Sequence, residues 1–113
     1  MEKDNQIVDL TLAFSLEIIE FSELLESKKK YSLARQLFNS GTSIGANVRE
    51  AQNAESKADC IHKMKIAAKE AEETEYWLTL SKLSKSYPDC DELLSKVNSI
   101  LKVLGKIISS SKK

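Results

Sequence analysis

The sequence contains little of what catalytic or disulfide-stabilised domains usually require. Its 113 residues include one histidine, one tryptophan, one proline, two cysteines and three glycines. Two cysteines, Cys60 and Cys90, are too few for a disulfide framework, so that reduced thiols are expected. Because proline and glycine mark turns, their scarcity favours a few long helices over many short strands.

Long apolar runs are missing as well. The longest stretch without a charge is residues 36–48, and several of its members are polar, whereas a helix that crosses a bilayer needs about 20 consecutive, mostly apolar residues. The first five residues are polar and net acidic, unlike the basic start of a secretory signal. A cytoplasmic protein without a membrane partner is the expectation.

The balance of residue types is that of one globular domain. Hydrophobic residues make up 42% of the chain and charged residues 30%, and its length falls in the common domain range of about 100–150 residues. The formal charge is zero, unlike that of a strongly basic nucleic-acid binder. However, residues 1–27 carry seven acids and one lysine, a balance of −6, so that residues 28–113 carry +6. Internal charge pairing, or contacts between oppositely charged subunit faces, would explain this distribution.

The residues that chemistry would need are not arranged for it. Cys60 and His62 are the closest pair of potential metal ligands, but residues two apart on a helix point to different faces, and no second histidine exists. Glutamates occur at positions 70, 72, 73 and 75, yet di-iron bundles need Glu-x-x-His pairs, which this chain lacks. With no glycine-rich phosphate loop and no nucleophile–base pair, we expect no enzymatic activity, no cofactor and no small-molecule substrate.

Apolar residues recur at helical spacing through the whole chain. The stripes predict an all-α fold with helices at about residues 4–28, 32–54, 57–85 and 88–109, followed by a frayed tail. Asp4 and Ser56 are interpreted as N-caps, and Pro88 as a helix-starting residue. Short connections force neighbouring helices to be antiparallel, which favours a single up-down-up-down bundle over residues 1–113.

The apolar residues of the second predicted helix recur with strict heptad spacing, and they form a narrow stripe of small side chains. Gly41 and Gly45 weaken an isolated helix, so that their presence predicts another helix packed close against them. Ser40, Ser43 and Asn47 line one side of the same helix, and such a line must be hydrogen-bonded where it is buried. The first and fourth helices have more apolar surface than one core requires, which suggests a homo-oligomer.

The middle of the chain carries a recognisable pattern. Its residues are Arg35, Gln36, Leu37, the run 43–51, Ser56, Ile66, Ala67, Glu72 and Leu78. The pattern resembles the four-helix-bundle family of bacterial proteins encoded within intervening sequences of 23S ribosomal RNA, also called S23 ribosomal proteins. The resemblance spans nearly the whole chain, while Gly45, Ala51 and Cys60 depart from residues that are common in the family.

The resemblance implies a left-handed bundle that assembles into a homopentamer. A similar bundle, the accessory variability protein of diversity-generating retroelements, contacts RNA and a reverse transcriptase. Candidate partners are therefore RNA, the ribosome and other copies of the chain. The residues that match the family motif, interpreted as structural, are Gln36, Ser43, Ala46, Asn47 and Glu50.

RNA binding would depend on basic side chains that contact phosphates. Lys65 and Lys69 stand four residues apart on one helix face beside His62, a spacing that suits a phosphate backbone. Tyr76 is a weaker candidate for stacking on a base, and Trp77 is expected in the core. The full set of candidate cations is Lys28, Lys29, Lys30, Arg35, Arg49, Lys57, Lys63, Lys65 and Lys69.

An ordinary solvated surface would explain the same charges. Asp59–Lys63 and Lys69–Glu73 have the four-residue spacing of helix ion pairs, each worth about 0.2–0.5 kcal/mol. Two functions therefore stay open: a non-enzymatic scaffold or adaptor that binds RNA or the ribosome, and a protein-only assembly module without nucleic acid.

Overall fold

A computed structural model describes residues 2–111, with side chains from residue 6 onward. Within that range it contains four α-helices and no strand, which confirms the predicted all-α four-helix bundle. The molecule measures 46 × 20 × 19 Å along its principal axes. The helices are α1 (Glu2–Ser27), α2 (Tyr31–Gln52), α3 (Lys57–Leu83) and α4 (Asp91–Ser111).

Each helix packs against the next one along the chain, and α1 also packs against α4. Ile18 of α1 lies against Gly41 of α2, and Thr11, earlier in α1, lies against Gly45, later in α2. These pairs run in opposite directions, as in antiparallel neighbours. The complete up-down-up-down order and its left-handed sense stay predictions.

The three connections lie at two ends of the bundle. Residues 53–56 join α2 to α3 at what we call the one-loop end. Residues 28–30 and 84–90 form the other two connections, and Lys30 Nζ stands 4.8 Å from the centroid of the Tyr87 ring. This contact places both connections together at what we call the two-loop end.

All four helices contribute to one hydrophobic core. Most of the apolar residues that form the sequence stripes are buried, which explains why each helix forms where it does. Trp77 packs against the core from its edge and is partly buried. The largest fully buried side chains are Phe14, Ile7, Ile18, Leu25, Leu37, Ile44, Met64, Leu78, Ile100, Leu104, Val48 and Val97.

Gly41 and Gly45 allow α1 and α2 to approach closely, as predicted. A Cβ atom added at Gly41 would stand 2.8 Å from both Cγ1 and Cγ2 of Ile18, closer than packed carbon atoms approach. At Gly45 the added atom would stand 3.3 Å from Ser15 Oγ and from the Thr11 carbonyl oxygen. The α1–α2 contact therefore requires glycine at position 41, whereas at position 45 a small shift of the neighbouring atoms would admit a Cβ atom.

Three of the four predicted helix starts differ from the structure, that of α2 by a single residue. The Ser56 cap of α3 is confirmed, because Ser56 Oγ accepts a hydrogen bond of 3.0 Å from the Asp59 backbone N–H. α1 begins at Glu2, so that position 4 is already helical; the side chain of Asp4 lies outside the described residues. The prediction that a helix starts at Pro88 is wrong, since α4 begins three residues later.

The late start of α4 has a local cause. Asp89 Oδ1 accepts a hydrogen bond from the Asp91 N–H at 3.3 Å, and the Cys90 carbonyl accepts the Leu94 N–H at 2.9 Å. Cys90 therefore occupies the capping position, with Asp89 holding the entering chain. The predicted fraying from residue 109 is wrong as far as Ser111, which is still helical; Lys112 and Lys113 lie outside the described residues.

Cys90 is buried where α4 meets α3. Its Sγ donates a hydrogen bond of 3.2 Å to the Leu78 carbonyl oxygen, and burial raises the pKa of the thiol. Cys60 is half-buried, and both cysteines are free thiols. Along residues 2–111, no helix has the combination of length and apolar character needed to traverse a membrane.

Candidate nucleic-acid interface

The structure divides the predicted RNA-binding cations between the two ends of the bundle. Lys28, Lys29 and Lys30 lie at the two-loop end, where α2 begins, and Arg35 follows one turn later. The remaining candidates belong to the last turn of α2 or the first half of α3, toward the one-loop end: Arg49, Lys57, Lys63, Lys65 and Lys69.

Some cations of the two-loop end have local partners. Lys30 stands over the face of Tyr87, a cation–π geometry. Arg35 lines a surface depression between α1 and α2 together with Glu23 and Glu26, which provide negative charge beside it. These two side chains are therefore less available to an external anion than their exposure alone would indicate.

Lys63 is also engaged. Its Nζ donates to Glu50 Oε1 at 3.0 Å, an α3–α2 contact near the one-loop end. This hydrogen bond, more than any other cause, raises the pKa of Lys63. The predicted Asp59–Lys63 pair is wrong, because Lys63 lies on the side of α3 that faces α2. A Lys69–Glu73 pair is likewise absent from the described side chains.

His62, Lys65 and Lys69 form an exposed row on α3. The structure gives neither lysine an ion pair or hydrogen bond with a described residue. The row becomes acidic at Glu72 and Glu73, one turn beyond Lys69. Lys65 and Lys69 therefore stand together on one helix face and are available to an anion, as are the exposed neighbours Lys28 and Lys29 at the two-loop end.

Lys102 and Lys106 of α4 are two further exposed cations, which were not predicted as part of an RNA-binding site. They lie four residues apart on the helix that packs beside α3. A signal was present in the sequence, because α4 carries acids only in its first turn and the later charges are all lysines. Their proximity to the α3 row becomes visible only when the two helices are placed side by side.

The polar residues of the family motif bond mainly within α2. Ser43 Oγ donates to the Asn39 carbonyl at 2.6 Å, and Asn47 Nδ2 donates to the Ser43 carbonyl at 2.9 Å. Both side chains are half-buried. Of the other motif residues, Gln36, Ala46 and Glu50 are exposed, and Glu50 contacts α3 through Lys63.

The polar contact buried between α2 and α3 is made by Ser40 and Thr74. Their hydroxyl oxygens lie 2.9 Å apart, and Thr74 Oγ1 donates to the Glu70 carbonyl at 2.7 Å. The predicted hydrogen bonding of a buried polar residue on α2 is thus satisfied at Ser40. Glu70 itself is half-buried, and burial, with a smaller effect of Glu73, raises the pKa of its carboxyl group.

The aromatic pair on α3 is arranged as predicted. Tyr76 is 57% exposed, whereas Trp77 is partly buried, and the Trp77 indole nitrogen is buried without a hydrogen-bond partner among the described residues. Their ring centroids are 5.4 Å apart with planes inclined by 60°. Among the residues that the structure describes, no group of three His, Cys, Asp or Glu side chains is placed to hold a metal ion.

The fold and the surface define a four-helix-bundle protein with exposed lysines that are available to an anion. The chain belongs to the family of 23S rRNA-intervening sequence proteins, whose model matches residues 3–106. This family membership confirms the resemblance found in the sequence, and the family name carries an association with ribosomal RNA.

A solved structure is similar over almost the full length of both chains. It is a protein of unknown function from the S23 ribosomal protein family of Bacteroides thetaiotaomicron, 40% identical to this chain. The match has a TM-score of 0.88 and covers 95% of this chain and 98% of the other. No curated protein matches the chain.

Proposed function

We propose that this protein is a cytoplasmic, non-enzymatic scaffold or adaptor that binds RNA through the phosphate backbone, in association with the ribosome. The observation that carries the proposal is the pair Lys65 and Lys69, two exposed cations on one helix row without an ion pair to any described residue. The family name supports ribosomal RNA as the RNA class.

The spacing of the two lysines supports contact with a strand. Residues four apart on a helix have Cβ atoms about 5–6 Å apart, so that two lysines can engage neighbouring phosphates. Phosphate contacts position a nucleic acid without reading its sequence. We therefore expect any preference for ribosomal RNA to come from its shape or from additional contacts.

We further propose that the scaffold is a homopentamer. The supporting observation is apolar surface outside the core: Leu12 is 50% exposed, Leu16 58% and Phe38 45%. A ring would bury such side chains, and it would repeat the pair of lysines in every subunit. Repetition increases the overall affinity for a long RNA even when each contact is weak.

The same apolar surface favours a second candidate function, a protein-only assembly module. In that case the exposed apolar side chains would bind other protein subunits, and Lys65 and Lys69 would be ordinary solvated charges. The two candidates differ in the effect of salt, because counterions released from RNA make phosphate binding salt-dependent.

The test measures RNA affinity at several salt concentrations, with ribosomal RNA fragments and an unrelated RNA. The double variant Lys65→Gln/Lys69→Gln removes two charges, and Lys85→Gln removes an exposed charge at the two-loop end, outside the predicted RNA-binding set, as a control. We expect steep weakening with salt for the wild type. The slope of log affinity against log salt should fall by about 1.4–1.8 for the first variant only.

Two results would contradict the RNA proposal. If the wild type does not bind RNA at low salt, the protein-only module remains. If binding is lost in the control variant and kept in Lys65→Gln/Lys69→Gln, the RNA contact lies at the two-loop end and the α3 row is not responsible.

A further inference from the structure

The second half of α4 carries only positive charge. Asp91 and Glu92 stand in its first turn, and the later charged residues up to Ser111 are lysines. Lys96 is neutralised by ion pairs of 2.7 Å to Glu17 and 3.2 Å to Glu92. The two lysines that follow, at positions 102 and 106, are exposed and have no ion pair with a described residue.

An exposed glycine lies between these two lysines. Lys102, Gly105, Lys106 and Ser109 are spaced by three and four residues and share the solvent-facing side of α4. A Cβ atom added at Gly105 would meet nothing within 4 Å, in contrast to Gly41, whose added Cβ would collide with Ile18. Glycine within a helix costs about 0.5–1 kcal/mol relative to alanine, and packing among the described residues does not require it here.

The α4 lysines lie at the same height along the bundle as the α3 row. Lys82 Nζ and Asp91 Oδ1 are 3.0 Å apart and mark a common level near the two-loop end. At 1.5 Å per residue, Lys69 lies about 20 Å from that level along α3, and Lys102 and Lys106 lie about 16 and 22 Å along α4. Packed helices are about 8–10 Å apart, so that the two sets of cations face solvent side by side.

Together these residues form a mainly basic face, with Glu72 on α3 at about the height of Lys102 and with the acidic first turn of α4 closer to the two-loop end. The composition of this face favours a nucleic acid over a protein partner. The large hydrophobic side chains exposed on the described surface belong to α1, α2 and α3, and none to α4, so that the excess apolar surface predicted for the fourth helix is not observed. Protein interfaces need an apolar centre and are poor in lysine, whereas nucleic-acid interfaces are polar and positive. The basic face consists of Lys65, Lys69, Lys102, Gly105, Lys106 and Ser109.

We propose that an RNA strand lies across this basic face with a phosphate directly over Gly105. Without a side chain at that position, the strand can approach the helix surface, and Lys102 and Lys106, which lie on the same side of Gly105 around the helix, contact adjacent phosphates. Lys65 and Lys69 engage the continuation of the strand on α3. The proposal rests on the RNA binding proposed above and adds α4 as the surface that the strand touches most closely.

The test uses substitutions that separate binding from folding. Gly105→Gln fills the approach with a neutral side chain, and Lys102→Gln/Lys106→Gln removes two charges. Ser95→Gln places the same side chain at an exposed α4 position outside the basic face. Each full-length variant is measured for RNA affinity against salt, for melting temperature and for native mass.

We expect Gly105→Gln to melt no lower than the wild type, because glutamine is a better helix former than glycine, and yet to bind RNA several-fold more weakly. Lys102→Gln/Lys106→Gln should lower the salt slope by about 1.4–1.8. Ser95→Gln should bind as the wild type does.

Other outcomes would overturn the proposal in distinguishable ways. If the wild type and all α4 variants bind RNA equally and with salt dependence, the α4 surface is not the site and the proposed function stands. If the wild type does not bind RNA, both proposals fail. If Gly105→Gln changes the native mass, α4 is a contact between subunits and not an RNA surface.

Discussion

Gly41 and Gly105 are both helical glycines, but their surroundings differ completely. Gly41 is buried against Ile18, and Gly105 faces open space. The same glycine-to-alanine substitution at the two positions therefore distinguishes two effects on stability. At Gly41 it tests close packing against Ile18, and at Gly105 it tests helix propensity alone.

We predict that Gly41→Ala destabilises the protein by about 1–3 kcal/mol, because the new methyl group must displace Ile18 in a tightly packed contact. Gly105→Ala should stabilise it by about 0.5–1 kcal/mol through helix propensity. Thermal or urea unfolding of the two variants measures both effects. An equal change in both variants would contradict the close α1–α2 approach.

Glu70 is a half-buried carboxyl group whose pKa is raised by burial and by Glu73. The Glu70 carboxyl group therefore binds a proton more tightly in the folded protein than in the unfolded chain. The stability that depends on the proton is fully present below the unfolded pKa and is lost as the pH rises through the raised folded pKa.

We predict that Glu70→Gln raises the melting temperature at pH 7, because it removes a charge that burial disfavours. The difference from the wild type should disappear as the pH falls below the unfolded pKa of the carboxyl group. Melting curves between pH 3.5 and 7, spanning the usual glutamate pKa of about 4.3, measure the effect. Glu72→Gln, at an exposed position on the same helix that is not among the causes of the Glu70 shift, serves as the control and should show a smaller difference.

At the scale of the elements, α2 and α3 share a buried contact between the Ser40 and Thr74 hydroxyl groups. We predict that Thr74→Val destabilises the protein by about 1–3 kcal/mol, because Ser40 is left buried without its partner. Ser40→Ala/Thr74→Val should recover part of the loss, since no polar group is then orphaned. A double-mutant cycle by urea unfolding gives the coupling between the two residues, and additive effects would show that the contact does not contribute.

The helices themselves were predictable because their signals are local in the chain. The Ser56 cap depends on a residue three positions later, and the apolar stripes depend on neighbours three and four positions away. The start of α4 was missed because Asp89 and Cys90, and not Pro88, organise the entry to the helix.

The candidate site was predictable only in part. Lys65 and Lys69 belong to one helix, so that their common face follows from their spacing. The Glu50–Lys63 pair and the position of Lys102 beside α3 depend on how separate helices pack. Spacing within one segment contains no information on such contacts.

At the scale of the whole molecule, exposed leucines on α1 support the proposed ring. We predict that Leu12→Gln/Leu16→Gln reduces the native mass from that of a pentamer to that of smaller species, because it removes apolar surface from the subunit contact. The separated subunits should remain folded, so that they still unfold in a cooperative thermal transition. Light scattering during gel filtration measures the mass.

Leu83→Gln is the control, because Leu83 is also an exposed leucine, with 76% of its surface accessible, but it is the last residue of α3 and does not belong to α1. Its native mass should equal that of the wild type. A wild-type mass of a monomer or a dimer would contradict the pentamer, and an unchanged mass for Leu12→Gln/Leu16→Gln would exclude α1 as the contact.

The buried thiol of Cys90 can report when the start of α4 separates locally from α3. Burial and a raised pKa keep this sulfur from alkylating reagents while α4 stays docked on α3. Cys60 is half-buried and provides a second thiol for comparison within the same chain. The labelling rate of Cys90 relative to an unfolded thiol therefore reports the free energy of separating α4 from α3 at the two-loop end, without any added probe.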